Sequence, residues 1–393
     1  GVSSLSADFR IGVDVMTTET TCLSSIWRTD EKIKEFYDIH GRVDEYKELN
    51  PGEVTYYDGM VYVDLSKIKP MIAMPFHPSN TYTIEEVNAN LEDILRDVEK
   101  KALVSLDGQV DYKLTNKIRN GKLYVDQGII AGCAGGGFEN ICAAADILDG
   151  KSIGADEFTL SVYPASMPVY MELIKNGAAA SIMESGAVMK TAFCGPCFGA
   201  GDTPSNNAFS IRHSTRNFPN REGSKLQNGQ ISSVALMDAR SIAATAANKG
   251  YLTAATDVDV EFKNRTYHFD SSIYANRVFD SHGVADPDTE IQFGPNIKDW
   301  PEMEGNIIPY IGGEEMKSEV EPNKVLGKIE GKEIVPSTEL QIECQTYRVP
   351  VSNGHTAAIF FSFKDGVNKP SVEEIEKMWA DYSGEPQKLN LPH

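Results

Sequence analysis

Two thiols three positions apart stand in Phe193-Cys-Gly-Pro-Cys-Phe-Gly-Ala-Gly-Asp202, separated by a Gly-Pro turn that lets both point at one metal. A third thiol, Cys133, lies upstream in Ile130-Ala-Gly-Cys-Ala-Gly-Gly-Gly137. Structural zinc is ordinarily held by four ligands, and neither a second Cys-x-x-Cys nor a His pair at matching spacing is present. Three thiolates in a glycine-rich setting suit an iron–sulfur cluster with one iron left open to substrate. A redox pair, or a set of buried and unreactive cysteines, remains open on residue types alone. Arg216 and Arg221 follow in Ser214-Thr-Arg-Asn-Phe-Pro-Asn-Arg-Glu-Gly-Ser-Lys225. Arginine is the side chain for planar, bidentate carboxylate binding. The outline is an anion-handling site beside a thiolate-bound group.

Other candidate residues read as structural. Cys22 and Cys142 sit in small or apolar surroundings where a buried thiol packs well, and both are expected in the core. Gly135 to Gly137 lack the Gly-x-Gly-x-x-Gly order of a dinucleotide cradle. His77 is flanked by prolines and reads as a structural loop histidine, while the contexts of His213, His268 and His282 do not separate function from packing.

The elements that must position these residues are those of an α/β protein. Thr55 to Leu65 alternates with period two around Asp58-Gly59, a hairpin signal. Thr83 with Glu86 opens a helix reaching about Lys101. Arg10 to Ser25 reads as a strand running into a helix start, and Ile26 to Tyr46 as a helix broken near Gly41. From about residue 119, strands at Leu123 to Ile130 and Glu157 to Tyr163 alternate with helices at Phe138 to Leu148, Met167 to Asn176 and Ile231 to Asn248. That alternation implies parallel βαβ units in a three-layer α/β/α domain, with sites at the carboxyl ends of the strands, where the Cys133 and Cys194 loops fall. Beyond Tyr251 the chain is loop-rich. After Glu304 come a Lys/Glu-rich stretch, strands at Leu340 to Pro350 and Thr356 to Phe363, and a helix from Ser371 to Tyr382. The expected domains are 1–118, 119–303 and 304–393, with no internal repeat. The last residues carry no cap or tail and look cut.

A formal net charge of −20 argues against nucleic acid, whose binding needs Lys and Arg to neutralise phosphates. An acidic substrate is still admissible in a locally basic pocket. No apolar run approaches the roughly eighteen residues of a membrane span, so a cytoplasmic location is the default. Six cysteines in 393 residues are too sparse for a disulfide scaffold.

Gly132-Cys133, Cys194-Gly-Pro-Cys197-Phe-Gly, Arg216-Asn-Phe-x-x-Arg221 and Gly294-Pro-Asn-Ile-Lys-Asp-Trp-Pro together resemble the aconitase family of hydro-lyases over residues 1–303. The resemblance implies aconitase-like α/β domains and a [4Fe-4S] cluster held by Cys133, Cys194 and Cys197. It implies Arg216 and Arg221 as clamps on substrate carboxylates, and Glu19, nine residues after Arg10, as the family's glutamate near the cluster. The reaction implied is reversible dehydration of a small di- or tricarboxylic hydroxy acid. Departures stand beside it. Val15 and Thr215 replace asparagines, the family's early Asp-Ser-His motif is missing from its place, and no swivel domain with its serine base follows. Asp280-Ser-His282 has the right letters in the wrong place, after all three cysteines.

Asn306-Ile-Ile-Pro-Tyr-Ile-Gly-Gly-Glu-Glu-Met-Lys317 and Tyr347-Arg-Val-Pro-Val-Ser-Asn-Gly-His355-Thr resemble the C-terminal part of aspartate-semialdehyde dehydrogenase. The resemblance implies His355 as acid–base histidine, Arg348 as carboxylate clamp, and Glu314 with Lys317 as substrate and phosphate contacts. Cys344 does not match that family's nucleophile and reads as structural, and its nucleotide-binding domain is missing from this chain. The sequence therefore points to an aconitase-type lyase with a dehydrogenase-derived tail. The alternatives are a non-catalytic cluster-binding module or a fragment of an NADP-dependent dehydrogenase. The tail is expected to promote self-association.

Overall fold

The computed structural model describes residues 2–20, 22, 24–155, 157–220, 230–275, 314–331, 333–345, 359, 361–384 and 388. Two compact units divide the chain, Gly1–Val278 with Glu385–His393, and Phe279–Gly384.

The first unit is built on one sheet. Its strands are β1 (Met71–Ala73), β2 (Thr81–Thr83), β5 (Gln127–Ile130), β6 (Thr159–Val162), β7 (Val188–Met189), β8 (Phe209–His213) and β9 (Ser233–Met237), and a separate small hairpin pairs β3 (Ile118–Arg119) with β4 (Lys122–Leu123). The order across the sheet is β2-β1-β9-β8-β5-β6-β7. The five strands β5 to β9 run parallel, and β1 joins antiparallel to both β9 and β2. This is the α/β class with a parallel-rich sheet that the alternating pattern implied. The boundary expected at residue 118 falls between strands of this one sheet.

Period-two alternation splits the sheet into unlike faces. Ile130, Leu160, Val162, Phe209, Ile211, Ala235 and Met237 join the main apolar core. The helices Phe138–Leu148 and Ala239–Ala247, both alanine-rich, pack against one another over it. Gln127, Ser210 and Arg212 occupy the alternate positions and form hydrogen bonds to one another on the opposite face.

Local signals decide the ends of elements. Thr83 and Glu86 form the reciprocal capping box, although the helix breaks at Asn90 and resumes over Leu91–Ser105. Asp30 caps the helix Glu31–Ile39 by accepting from Lys32 N and Ile33 N, and that helix ends before Gly41, whose φ is +68°. The helices Phe138–Leu148 and Met167–Lys175 and the strand β6 lie where the pattern put them.

Four expectations are corrected. Thr55 to Leu65 forms no hairpin, since both of its faces are exposed and a two-stranded ribbon without a face to bury is marginal in water. The described residues of Arg10 to Ser25 contain no strand: helix Ala7–Asp14 and a 3-10 segment Val15–Thr20 take its place, because Ser6 accepts from Phe9 N and caps the helix. Ile231 to Asn248 is a strand and then a helix, divided where the Asp238 side chain accepts from Ser241 N. Cys22 is exposed rather than buried, since it follows the 3-10 segment out to the surface. Cys142 is in the core, where burial pushes its thiol up to about 12.

In the second unit, the helix Glu314–Val325 is followed by a two-stranded ribbon, β10 (Lys328–Glu330) with β11 (Glu333–Val335). The helix Val372–Asp381 begins at a Ser371–Glu374 capping box, in agreement with the sequence. Residues 340–345 are not a strand; 346–358 lie outside the described residues, as do Arg348 and His355. No helix among the described residues is long and apolar enough to cross a membrane.

Thr83→Ala removes one half of the capping box and is expected to lower stability by about 1 kcal/mol, read as a shift of the urea midpoint with unchanged m-value.

Candidate functional site

The three cysteines lie beyond the carboxyl ends of parallel strands. Cys133 follows β5, on a short turn of helix Gly132–Gly135. Gly132 has φ of +68°, and a Cβ there would lie 3.0 Å from Cys197 Sγ, so this glycine is where the two loops meet. A Cβ on Gly135 would fall 2.3 Å from the His213 carbonyl oxygen, and one on Gly136 2.4 Å from that of Tyr163. The glycine run thus seats the Cys133 loop on the ends of β8 and β6 and need not cradle a nucleotide. Cys194 is the N-cap of the helical turn Gly195–Phe198 and Cys197 lies within it, and Gly199 ends the turn in the left-handed region.

Cys197 is buried while Cys133 and Cys194 are exposed. Cys194 and Cys197 share a hydrogen bond, and Cys133 stands within electrostatic reach of Cys197 and of Cys194. Burial, then the neighbouring Cys194, pushes the Cys197 thiol up, and burial raises Cys133 as well. Two cations oppose this: Arg212 favours the thiolate of Cys197, and Arg216 that of Cys133. Among the described residues, no three His, Cys, Asp or Glu side chains form the ligand set of a single metal ion. The three donors are all sulfur, the ligand type of iron–sulfur groups, and two guanidinium groups within electrostatic reach would favour an anionic one.

Arg216 and Glu19, 197 positions apart in sequence, form an ion pair, with Arg216 Nε donating to Glu19 Oε1 at 2.6 Å. Glu19 comes from the 3-10 segment Val15–Thr20, and Arg216 from the loop after β8. The next residue anchors that loop: Asn217 is fully buried and donates to the carbonyl oxygens of Ala73 (3.2 Å) and Met74 (2.8 Å) at the end of β1. Arg221 lies outside the described residues, as do His282 and the rest of Asp280-Ser-His282.

Several further groups shape this region, and of them the sequence singled out only His213, without separating function from packing. Arg212, 1% exposed, donates from Nη1 to the Pro196 carbonyl at 2.6 Å and from Nη2 to the Asp202 carbonyl at 3.3 Å. Tyr163 donates its hydroxyl to Asp202 Oδ2 at 2.6 Å. His213 accepts from Ala239 N at Nδ1 (3.1 Å), which fixes the neutral ring with its proton on Nε2. Burial pushes His213 down to about 4, with Asp238 pulling the other way. Asp8 accepts from Glu139 N at 3.0 Å and so ties the first helix to the start of Phe138–Leu148. The one available signal was alternation, since Ser210 and Arg212 are polar at every second position of an otherwise apolar strand.

The other candidates are scattered. His77 faces Ser79 Oγ across 2.7 Å and sets its ring edge-on to Phe218, and His268 pairs with Glu172 at 3.0 Å. Lys317 is exposed on the helix Glu314–Val325, whose first residue is Glu314, and Cys344 N donates to Glu319 Oε1 there. A surface groove of about 600 Å³ lined by Lys69, Glu85, Asn88 and Asp257 contains none of the site residues.

Residues 1–244 match the aconitase family (aconitate hydratase), and residues 288–391 match the semialdehyde dehydrogenase dimerisation domain. Similar proteins include the 3-isopropylmalate dehydratase large subunit of Caldicellulosiruptor saccharolyticus, 28% identical over 253 residues that cover 64% of this chain and 50% of that one. The proteins of the same name from Clostridium kluyveri (27% over 259 residues) and Clostridioides difficile (26% over 268) each share 66% of this chain and 52% of their own length. The chain spans about half the length of the curated relatives it matches.

His213 gives a pH dependence of stability. The unfolded imidazole takes up a proton near 6.5 and the folded one only near 4, so between those values the unfolded state binds more protons. The stabilisation is full above about 6.5 and is lost as pH falls towards 4. Urea titrations across this window are expected to show a loss on the order of 2 kcal/mol in the parent chain that is absent in His213→Asn.

Proposed function

The chain belongs to the aconitase family, and from that premise we propose that its first unit is the cluster-bearing part of an iron–sulfur hydro-lyase acting on a small di- or tricarboxylic hydroxy acid. The observation that carries the reading is the juxtaposition of Cys133, Cys194 and Cys197 with the Arg216–Glu19 pair, drawn from four separate stretches of sequence.

Hydroxide is a poor leaving group and a proton beside a carboxylate is weakly acidic, so dehydration needs an electrophile at the oxygen and a base at the carbon. A [4Fe-4S] cluster, which Cys133, Cys194 and Cys197 would hold, would supply Lewis-acid character at the hydroxyl oxygen. Arg216 gives its Nε to Glu19, and no described residue hydrogen-bonds its Nη1 and Nη2. That free fork is suited to a substrate carboxylate, with Arg221 as the second cation. Glu19, its side chain 10% exposed, is held by Arg216 in a water-poor position where it can take or return a proton.

The relatives are named large subunits of 3-isopropylmalate dehydratase. An isopropylmalate-type acid is therefore the first substrate to try, and a companion subunit is the partner to supply. The match at 288–391 is to a dimerisation domain, which supports self-association through the tail rather than dehydrogenase chemistry.

Anaerobic reconstitution is expected to give a brown protein with about four irons per chain, and Cys194→Ser to abolish both colour and iron. A Cys194→Ser chain that keeps its colour rules out the cluster assignment. Glu19→Gln is expected to leave iron content unchanged while lowering turnover about 10²–10⁴-fold. Iron uptake with no turnover of isopropylmalate, citrate or isocitrate, alone or with a companion subunit, favours a non-catalytic cluster module. Static light scattering is expected to report a dimer or larger; a clean monomer contradicts association through the tail.

A further inference from the structure

Arg212 is a long cationic side chain on the central strand β8, and its burial costs solvation that only well-made hydrogen bonds can offset. The bonds it makes are unusually directed. Nε donates to Ser210 Oγ at 3.1 Å and Nη2 to Gln127 Oε1 at 3.3 Å, both on the polar face of the sheet. Two more go to backbone carbonyls of the cysteine loop: Pro196, which lies between Cys194 and Cys197, at 2.6 Å, and Asp202, past the glycines, at 3.3 Å.

The planar fork therefore grips the loop near both ends of its 196–202 stretch. Gln127 Nε2 donates to the same Asp202 carbonyl at 2.9 Å, and the Asp202 carboxylate accepts from Tyr163, so the far end is held from three sides. Loop 199–201 is Gly-Ala-Gly, which has little stiffness of its own, so the restraint must come from outside it.

We propose that Arg212 is the positioning residue of the cysteine loop: its two carbonyl contacts hold Cys194 and Cys197 in ligand geometry and set how tightly the chain retains a cluster. This rests on the cluster reading given above. Partners outside the ligand set that orient the ligands are worth about 10–100-fold in metal affinity. Lysine at this position keeps the charge but has one nitrogen where the fork has three.

The test compares the full chain with Arg212→Gln and Arg212→Lys after anaerobic reconstitution. It reads iron per chain, the visible absorbance of the cluster, and the rate of iron release to a chelator, with circular dichroism and thermal midpoint as the measure of fold. The expected result is release about 10–100-fold faster in folded Arg212→Gln, with partial rescue in Arg212→Lys. Release at the parent rate from folded Arg212→Gln overturns the proposal. Should Arg212→Gln fail to fold, Arg212→Lys decides: faster release than the parent supports the assignment and parental release overturns it. A parent chain that takes up no iron instead removes the cluster reading itself.

Discussion

The parallel register of β5 with β8, in which Gln127 to Ile130 lie opposite Ser210 to His213, is the constraint on which the site depends. Parallel strands end on the same side, so the loops after β5, β7 and β8 open together although they begin at residues 131, 190 and 214. A slip of one position would turn Ser210 and Arg212 into the apolar layer and Phe209 and Ile211 onto the polar face. The Gln127 carboxamide, bonded to Ser210, Arg212 and the Asp202 carbonyl, reinforces the register at the level of side chains.

A second buried guanidinium governs the other half of the site. Arg10, 2% exposed, donates to Asp30 Oδ2 at 2.7 Å and to the Val2 carbonyl, and lies over the Trp27 ring. Asp30 also caps the next helix, and Arg10 holds its carboxyl below the usual range. These contacts close residues 2–30 into a clasp around the 3-10 segment that carries Glu19. The ion pair of Glu19 with Arg216 then joins that clasp to the loop anchored by Asn217 on β1. Each half of the site is thus fixed by a buried polar side chain several residues from the group it positions.

The parts of this arrangement that were legible in sequence are those with a local cause. The Thr83–Glu86 and Ser371–Glu374 boxes, the helix Phe138–Leu148 and the alternation of parallel elements all follow from spacing within a few residues. The cysteine spacing and the paired arginine motif gave the candidate site. Arg212 escaped notice because a lone arginine in a strand carries no motif; its meaning comes from carbonyls 16 and 10 residues away that only the fold brings near. The Thr55 to Leu65 hairpin failed for the converse reason: its local pattern was sound, but among the described residues no tertiary face covers either side. The strand read into residues 10–25 lost to a serine cap at Ser6, just outside the stretch that looked β-like.

Because the three thiols belong to loops separated by pairings that close 83 residues of chain, none of the local segments holds a receptive site by itself. β5 lacks one of its two neighbours until β8 has been made, and the Pro196 carbonyl of the Cys194–Asp202 limb waits for Arg212 even though Gln127 and Tyr163 precede that limb and can hold Asp202. Closure of that long loop is entropically slow compared with forming the helices between. During synthesis the cysteines at 133, 194 and 197 are therefore exposed before the sheet that organises them exists. Loading of any thiolate-bound group thus waits until translation has passed β8, and the emerging thiols are open to oxidation in that interval.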